Sequence, residues 1–386
     1  MRTTTTGADA QNGEPIVLQQ TTARTTFLCG LCFFAAAAFA RTGPPAPRNT
    51  GSSVPSYAQQ ATDGAQTLQQ WYLQSTGLYA APSGWWNTAN AITVLANYSR
   101  ATGSRRYLPV IANTFNRASR AQDTKNFLNS YNDDEGWWAL AWIDAYDLTG
   151  KRAYLAMSET IFSNMAGQWD TPTCGGGIWW KKPAEYKNAI ANELFLSVAA
   201  SLANRTTGTE SARYLAWAQK EWAWFHASGM INAQHLVNDG LTSTNPHACA
   251  NNGHTTWTYN QGVILGGLVE LARAEHDPTL LSQAEAIANA AIAHLTANGI
   301  LVDRTVSGGD TPQFKGIFVR NLMALDATAP DPRYKAFVDA NANSIWRDDQ
   351  RSSYEFGGLW QGPFDSADAT RQTSALDALI AAAVMQ

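Results

Sequence analysis

The chain has 386 residues, of which 45% are hydrophobic and 15% are charged, so it can bury a sizeable core. Its net charge is −4, which provides no basic surface for nucleic acid or an anionic membrane and favours an uncharged ligand. A content of 15 tryptophans favours an aromatic-lined binding groove or an aromatic-rich core.

The N-terminal segment has the features of a secretory signal. An apolar run over residues 27–40 follows Arg24 and ends in Ala38-Phe39-Ala40, the small-x-small form of a signal-peptidase site. We predict a signal peptide over residues 1–40, and therefore a secreted, extracellular protein with no membrane partner after cleavage. Because the run is short for a bilayer span, an uncleaved anchor is the alternative.

Residues 41–56 are rich in proline, glycine and serine, which predicts a flexible leader before a single domain over residues 57–386. Removal of the signal leaves two cysteines, Cys174 and Cys249, both in long loops. They could pair in an oxidising compartment, but the sequence leaves this pairing open.

From residue 57 onward, the hydrophobic periodicity predicts twelve helices and no alternating strands. The predicted spans are 57–75, 85–100, 105–120, 136–149, 152–167, 187–204, 209–228, 259–275, 278–297, 313–326, 332–346 and 370–384. Several helices are apolar on nearly all sides, which predicts that they are buried: those containing 137–148, 189–203, 262–274 and 374–384. The helices between them carry a polar face. An inner layer of helices therefore alternates with an outer, amphipathic layer.

Short turns and long loops alternate along the chain. Thr-Gly pairs at 102–103, 149–150 and 207–208 and Asp-Pro pairs at 277–278 and 331–332 match the expected stop and start signals of helices. The loops that lead into the inner helices are longer: 121–135, 168–186, 229–258, 298–312 and 347–369. Six helical hairpins could form an open solenoid or a closed toroid. In a toroid the long loops collect at one end, where a site would lie.

Residues 131–138 read Tyr-Asn-Asp-Asp-Glu-Gly-Trp-Trp and place three acids and two indoles at the start of an inner helix. Buried carboxylates are costly unless they are paired. A carbohydrate site needs carboxyl groups for proton transfer or nucleophilic attack and flat aromatic faces for sugar rings. The motif therefore favours glycoside chemistry. The alternative is an ordinary helix start, where acids are also favourable.

The junctions between long loops and inner helices combine glycine with aromatic or polar side chains, which suggests one shared groove. We predict substrate contacts from these junctions by Trp86, Asn132, Trp137, Trp138, Trp179, Asn188, Asn192, Tyr259, Asn260, Gln261, Lys315 and Trp360. The tryptophans could instead pack between helices. Asn188 and Asn192 could form a buried hydrogen-bonded pair, and Lys315 could pair with an acid.

Several motifs together resemble those of glycoside hydrolase family 76, the endo-α-1,6-mannanases. They are Tyr-Asn-Asp-Asp-x-x-Trp-Trp-Ala-Leu-Ala at 131–141, Gly-Gly-Gly-Ile-Trp-Trp-Lys at 175–181, Tyr-Lys-Asn-Ala-Ile-Ala-Asn at 186–192, Thr-Tyr-Asn-Gln-Gly at 258–262 and Phe-Lys-Gly-Ile-Phe-Val-Arg at 314–320. The resemblance implies an all-α (α/α)6 barrel, a toroid of six helical hairpins, that cleaves internal bonds of α-1,6-mannan with retention. It also implies Asp133 as the nucleophile and Asp134 as the general acid/base.

Chemistry alone leaves the stereochemical outcome open. Carboxyl groups of adjacent residues can lie at the separation of a retaining or of an inverting enzyme, depending on the local backbone. In either case, we expect a raised pKa for the acid/base member, because the charge of its neighbour disfavours ionisation.

Two other functions are compatible with parts of the sequence. A cell-wall mannan transglycosylase or glycan-binding protein could use the same scaffold, since a glycosyl-enzyme can be resolved by a sugar as well as by water. A helical-repeat interaction protein would explain the hairpins but not the acidic, aromatic motif. We expect no cofactor and no metal, because His235, His247, Cys249 and His254 lack the paired spacing of a structural zinc site. Nothing in the sequence requires more than a monomer.

Overall fold

A computed structural model of the protein describes residues 54–242, 248–303 and 309–385. The predicted signal peptide lies outside these residues, as does nearly all of the leader. Twelve α-helices occur in the described part of the chain: α1 Tyr57–Leu68, α2 Trp85–Thr102, α3 Leu108–Arg117, α4 Asn132–Thr149, α5 Arg152–Ala166, α6 Ala189–Arg205, α7 Gly208–Ala227, α8 Thr258–Glu275, α9 Thr279–His294, α10 Phe314–Asp326, α11 Pro332–Asp348 and α12 Ala369–Val384.

The even-numbered helices form a closed inner ring. Each of α2, α4, α6, α8, α10 and α12 packs against the next, and α12 returns to pack against α2. The odd-numbered helices lie outside; α5, for example, contacts α4 and α6. All residues of α6 from Ala189 to Ala203 are buried, as the apolar sequence predicted. The prediction of an (α/α)6 barrel is therefore confirmed, and the open solenoid is excluded.

Two helix boundaries differ from the predicted ones in an informative way. Helix α4 begins at Asn132 rather than at 136, so the acids of its motif lie in its first turn. Negative side chains are favourable at a helix N-terminus, where backbone N–H groups lack partners. Helix α1 ends at Leu68 rather than at 75, because the chain passes through a short 3-10 turn into a β-strand.

The long loops contain short strand pairs that the sequence analysis did not predict. The strands are β1 Tyr72–Leu73, β2 Leu78–Tyr79, β3 Leu241–Thr242, β4 Ala250–Asn251, β5 Thr296–Ala297 and β6 Ile300–Leu301, paired as β1–β2, β3–β4 and β5–β6. Two residues per strand are too few to show alternating hydrophobicity. Isolated bridges such as Trp169–Ile178 and Gln350–Phe356 turn other long loops back in the same way.

A recurring contact fastens these loops to the inner helices. In five inner helices, the fourth residue accepts a hydrogen bond from a backbone N–H of the preceding loop. These loop-anchoring residues and their donors are Thr88 with Tyr79, Glu135 with Asn129, Asn192 with Ile178, Gln261 with Val237 and Gln372 with Phe356. Helical side chains point back towards the N-terminus, so the fourth residue covers the entering loop. This contact positions the loop residues that form the mouth of the barrel.

A disulfide joins two of the long loops at the mouth. Cys174, in the loop before α6, bonds to Cys249, in the loop before α8, across a sequence separation of 75 residues. The pairing that the sequence left open is therefore formed in this fold. Among the described residues, no helix combines the length and the apolar character needed to cross a bilayer.

Candidate active site

A cavity of about 350 Å³ lies at the mouth of the barrel, where the inner helices begin. Acidic and aromatic residues dominate its wall. The lining residues are Gly84, Trp86, Tyr131, Asp133, Asp134, Trp137, Trp180, Tyr259, Asp310 and Phe314. They come from the inner helices α2, α4, α8 and α10 and from loops that precede inner helices, including the loop before α6, so the closed ring is what brings them together.

A second cavity, of about 310 Å³, lies towards the C-terminal ends of the inner helices. Its acids are neutralised: Asp144 pairs with Arg100 at 2.5 Å, and Asp147 pairs with Arg205 at 2.7 Å. Trp137 lines both cavities and lies between them. Because its carboxylates are engaged in ion pairs, this second cavity offers no free acid for catalysis.

Asp133 and Asp134 occupy the first turn of α4 and face the mouth cavity. The Oδ2 atom of Asp133 accepts a hydrogen bond from the Trp180 indole N–H at 3.0 Å. The Oδ2 atom of Asp134 accepts one from the Asn129 side-chain amide at 2.7 Å. Both carboxyl groups are thus oriented by a neighbouring loop.

The two carboxyl groups have raised pKa values for overlapping reasons. Burial raises the pKa of Asp133 to about 7, although the Trp180 N–H and backbone N–H groups oppose this rise by stabilising the anion. Burial raises the pKa of Asp134 well above its usual range, and the negative charge of Asp133 raises it further. Desolvation therefore contributes more than the neighbouring charge on which the sequence analysis relied.

Glu135, the third acid of the motif, is fully buried and does not line the cavity. Its carboxylate forms an ion pair with Lys182 and accepts hydrogen bonds from the Asn129 backbone at 2.9 Å and the Asn164 side chain at 2.6 Å. A buried carboxylate is tolerated when it is paired in this way. Glu135 therefore holds two loops on α4 and orients its neighbours.

The aromatic part of the wall is a set of stacked rings. Trp86 stacks on Trp137 with ring centroids 5.6 Å apart, and Tyr259 stacks on Phe314 at 3.8 Å. Trp180 lines another part of the cavity, beside the Asp133 carboxyl group. Flat apolar faces next to carboxyl groups suit a sugar ring, which has apolar C–H faces and a polar rim.

Of the residues predicted to contact substrate, the structure places Trp86, Trp137 and Tyr259 on the cavity wall. The five predicted amides are instead buried, and all of them except Asn260 are hydrogen-bonded to the protein. Asn192 bonds to the backbone N–H and carbonyl of Ile178, and Gln261 does the same with Val237. The hydrogen-bonding groups of Asn192 and Gln261 are therefore engaged in holding loops in this structure, and neither residue lines the cavity.

Two further asparagines of the prediction also serve the loops. Asn188 caps α6 by accepting a hydrogen bond from the Ala191 N–H at 3.2 Å, and its own carbonyl receives the side-chain amide of Asn192 at 2.7 Å. Asn132 is buried and donates to the Trp179 carbonyl at 2.7 Å. Asn188 and Asn192 are the buried pair that the sequence analysis gave as the alternative.

Further residues that were predicted to contact substrate are also buried in the protein. Trp138, Asn260 and Trp360 have no exposed surface, so they cannot touch a ligand in the cavity. Lys315 is 2% exposed; its ammonium donates to the Gly358 carbonyl at 2.7 Å and lies 4.5 Å from the centre of the Trp360 ring. Burial lowers the pKa of Lys315 to about 8. This lysine holds the loop before α12 rather than the substrate.

Trp179 and Trp180 are adjacent in the loop before α6, and only Trp179 was predicted as a substrate contact. Trp180 lines the cavity, whereas Trp179 does not. The Lys187 ammonium lies 4.8 Å from the centre of the Trp179 ring and donates to three carbonyls of the same loop. Neighbouring residues of an extended segment point to opposite sides, so only one of the two can face the cavity.

Four lining residues, besides Gly84, were not predicted as contacts: Tyr131, Trp180, Asp310 and Phe314. Tyr131, Trp180 and Phe314 belong to motifs that the sequence shows, so their proximity to the site could have been inferred. Asp310 has no such signal, since it lies alone in a polar loop. Only the three-dimensional arrangement brings it into the cavity that Asp133 and Asp134 line.

Among the described residues, no group of three or more histidine, cysteine or acidic side chains is arranged to hold a metal ion. Of the residues considered for zinc, His247 lies outside the described part of the chain. Cys249 is engaged in the disulfide. The described cavity wall offers carboxyl groups, indoles and the two phenols of Tyr131 and Tyr259 as its reactive or binding groups.

Sequence comparison places this site within a known family. The model of glycosyl hydrolase family 76 matches residues 56–386. Mannan endo-1,6-alpha-mannosidase DFG5 of Candida albicans is 27% identical over 297 residues, which are 70% of this chain and 65% of that protein. DCW1 of the same organism, also named a mannan endo-1,6-alpha-mannosidase, is 30% identical over 212 residues, or 50% of this chain and 46% of the relative. The chain thus matches less than two thirds of the length of either relative.

A solved structure has the same fold. It is an inactive variant, with two adjacent aspartates changed to asparagine, of the α-1,6-mannanase GH76A of Salegentibacter sp. HEL1_6 in complex with α-1,6-mannotriose. The TM-score is 0.78 at 24% identity, and the match covers 86% of this chain and 100% of that chain. Because the family model covers the whole helical domain, the chain belongs to glycosyl hydrolase family 76.

Proposed function

We propose that the protein is a secreted, retaining glycoside hydrolase that cleaves internal α-1,6-mannosidic bonds of mannan. The observation that carries the proposal is the pair of adjacent aspartates at the start of α4, facing a cavity walled by Trp86, Trp137 and Trp180. The substrate class follows from the curated names of the relatives in the same family.

The surroundings of the two carboxyl groups support different roles for them. Asp133 receives the Trp180 N–H and backbone N–H groups, which stabilise its anion. Asp134 accepts a single side-chain amide hydrogen bond and faces the charge of Asp133, which raises its pKa, so the shared environment favours a proton on Asp134. We therefore assign Asp133 as the nucleophile and Asp134 as the general acid/base.

The proposed reaction has two steps. In the first, the Asp133 carboxylate attacks the anomeric carbon while Asp134 gives its proton to the departing glycosidic oxygen, leaving a covalent mannosyl-enzyme. In the second, Asp134 accepts a proton from a water that attacks the same carbon and releases Asp133. Two inversions at one carbon give net retention. The positive charge that develops on the sugar ring is stabilised by the carboxylates of the cavity.

Several features support export of the protein. The Cys174–Cys249 disulfide suits an oxidising compartment, and residues 1–40 have the form of a signal peptide. We propose that the mature chain begins at Arg41 and acts outside the cell as a monomer on α-1,6-mannan. N-terminal sequencing and the mass in solution check these points on the exported protein.

The experiment that tests the function is product analysis on unbranched α-1,6-mannan. We expect the exported protein to release short oligosaccharides, and Asp133→Asn and Asp134→Asn each to reduce the rate at least a hundredfold. Asp144→Asn is the matched control, because Asp144 lies on the same helix but is ion-paired in the second cavity. Transfer to added oligosaccharides without net release would assign a transglycosylase instead, and binding without either reaction would assign a glycan-binding protein.

A further inference from the structure

Asp310 is the third carboxylate of the cavity and comes from a different element than the catalytic pair. It precedes the 3-10 turn Thr311–Gln313 that leads into α10. Its Oδ1 atom accepts a hydrogen bond from the Trp86 indole N–H at 2.9 Å. Since α12 lies between α10 and α2 in the inner ring, this bond joins two non-adjacent parts of the barrel across its mouth.

The bond to Asp310 determines how the Trp86 ring is presented. Trp86 lies at the start of α2 and stacks on Trp137, with an interplanar angle of 28°. Trp137 lies one helical turn after the catalytic aspartates on α4. An indole that is free at its N–H can rotate about its side-chain bonds, whereas a hydrogen bond at this atom fixes the direction of its face. Asp310 therefore orients a ring that borders the site of reaction.

The charge of Asp310 is not needed for this contact. A neutral amide oxygen can also accept the indole N–H, although the bond is weaker than one to a carboxylate. Among the described residues that line the cavity, the charged ones are all acids: Asp133, Asp134 and Asp310. Cations on neighbouring elements are engaged with other acids: Lys181 with Glu185, Lys182 with Glu135 and Arg320 with Asp377. Asp310 thus adds a negative charge to a cavity that has no lining cation to neutralise it.

We propose that Asp310 is a positioning residue of this site, which orients the Trp86 sugar platform and supplies a fixed negative charge to the cavity that Asp133 and Asp134 line. The proposal rests on the glycoside-hydrolase function proposed above. A negative charge at this place stabilises the oxocarbenium-like transition state, in which the sugar ring becomes positive. It acts across the cavity without entering the bond-making steps.

The same charge affects the ionisation of the catalytic pair. Asp310 raises the pKa of both Asp133 and Asp134, because a nearby anion disfavours a second one. The other ionisable groups near the pair are Glu135, which is ion-paired with Lys182, and the phenols of Tyr131 and Tyr259, which line the same cavity. None of these groups changes in the variants proposed below. A shift in the titration of the pair can therefore be attributed to Asp310.

Three variants separate the two roles of Asp310, the orientation of the Trp86 ring and the supply of a negative charge. Asp310→Asn keeps an oxygen for the Trp86 N–H but removes the charge, Asp310→Ala removes both, and Trp86→Phe keeps a ring but removes the donor. Glu355→Gln is the matched control. It removes a carboxylate from the loop before α12, at the same end of the barrel, and this carboxylate does not line the cavity.

For Asp310→Asn we expect about a tenfold lower kcat on α-1,6-mannan with little change in KM, and both limbs of the pH profile several tenths of a unit lower. The limbs move down because loss of an anion lowers the pKa of both aspartates. For Trp86→Phe we expect a KM increase of about fivefold and unmoved limbs. Asp310→Ala should show both effects, and Glu355→Gln neither.

A measurement without substrate keeps this inference separate from the proposed function. Carbon-13 NMR of labelled aspartate carboxyl groups should show lower pKa values for Asp133 and Asp134 in Asp310→Asn. The Trp86 indole N–H resonance should move in Asp310→Ala but stay close to its position in Asp310→Asn. Unchanged carboxyl titrations in Asp310→Asn, or an unchanged indole resonance in Asp310→Ala, would overturn the inference even if the wild type cleaves mannan. Failure of the wild type to act on mannan, with both NMR shifts present, would instead overturn the proposed function alone.

Discussion

At the scale of single residues, two adjacent aspartates differ because different neighbours meet them. Asp133 accepts an indole N–H as well as backbone N–H groups of the helix start, all of which favour its anion. Asp134 accepts one amide hydrogen bond and faces the charge of Asp133. Environments that separate the pKa values of two carboxyl groups are what a double-displacement mechanism requires.

The Trp180 indole is the contact that most directly distinguishes the two acids. Trp180→Phe removes the N–H donor, so the pKa of Asp133 should rise. Since Asp133 must be ionised to attack, the acidic limb of the kcat/KM profile should move to higher pH. We also expect kcat/KM at its optimum to fall about tenfold, the value of a lost hydrogen bond to a charged group. The pH dependence of mannan cleavage provides the measurement.

Trp179→Phe is the control for this prediction, because Trp179 is adjacent in sequence but does not line the cavity. Its acidic limb should coincide with that of the wild type. If Trp180→Phe leaves the limb in place, or if Trp179→Phe moves it equally, the indole does not set the ionisation of Asp133.

At the scale of elements, the fourth residue of five inner helices holds the preceding loop by a hydrogen bond to its backbone. The sequence pattern does not show this role. The side chains of Asn192 and Gln261 pair with the backbone of a loop residue through both an acceptor and a donor. Polar residues on an apolar helix look like ligand contacts, and the sequence analysis took them as such. The distinction depends on whether a loop backbone lies over the helix start, which hydrophobic periodicity does not report.

Asn192→Leu tests the loop-anchoring contact. It leaves the N–H and the carbonyl of Ile178 without their partner in a buried place, so we expect a loss of about 3 kcal/mol in the free energy of unfolding. The exchange of backbone amides in the loop 168–186 should become faster, because the loop that carries Trp180 loses its anchor. Urea unfolding and hydrogen exchange measure the two effects.

Asn343→Leu is a suitable control, since Asn343 is exposed on the outer helix α11. Its unfolding free energy should stay within about 0.5 kcal/mol of the wild type. Equal stability of the two variants, or unchanged exchange in the loop 168–186 of Asn192→Leu, would contradict the anchoring role.

At the scale of the whole molecule, the sequence predicts the closed ring of inner helices but not which residues line the cavity at its mouth. Helices such as α6 are apolar on all sides, and Gly103 and Gly150 end helices in the left-handed conformation that the Thr-Gly turns predicted. These signals are local and periodic, so they can be read from one chain. The cavity wall is different, because it depends on which side of each loop faces inward.

Two residues illustrate why the rest could not be predicted. Trp179 and Trp180 are equivalent by composition, and only the extended course of their loop turns Trp180 to the cavity. Asp310 reaches the cavity of Asp133 and Asp134 because ring closure brings the start of α10 towards the start of α2. Such a contact spans most of the chain and leaves no pattern in the neighbouring sequence.

The central claim is that Asp133 and Asp134 act as nucleophile and acid/base in a double displacement, and rescue by azide tests it most directly. An aryl α-1,6-manno-oligosaccharide, whose leaving group needs no proton, is incubated with azide and with Asp133→Ala or Asp134→Ala. We predict that Asp133→Ala yields the β-glycosyl azide, because azide then attacks the substrate itself from the face that Asp133 occupied. Asp134→Ala should yield the α-glycosyl azide, because azide resolves the enzyme-bound intermediate. The opposite assignment of the two products would exchange the roles, and a β-product from both variants would contradict the covalent intermediate.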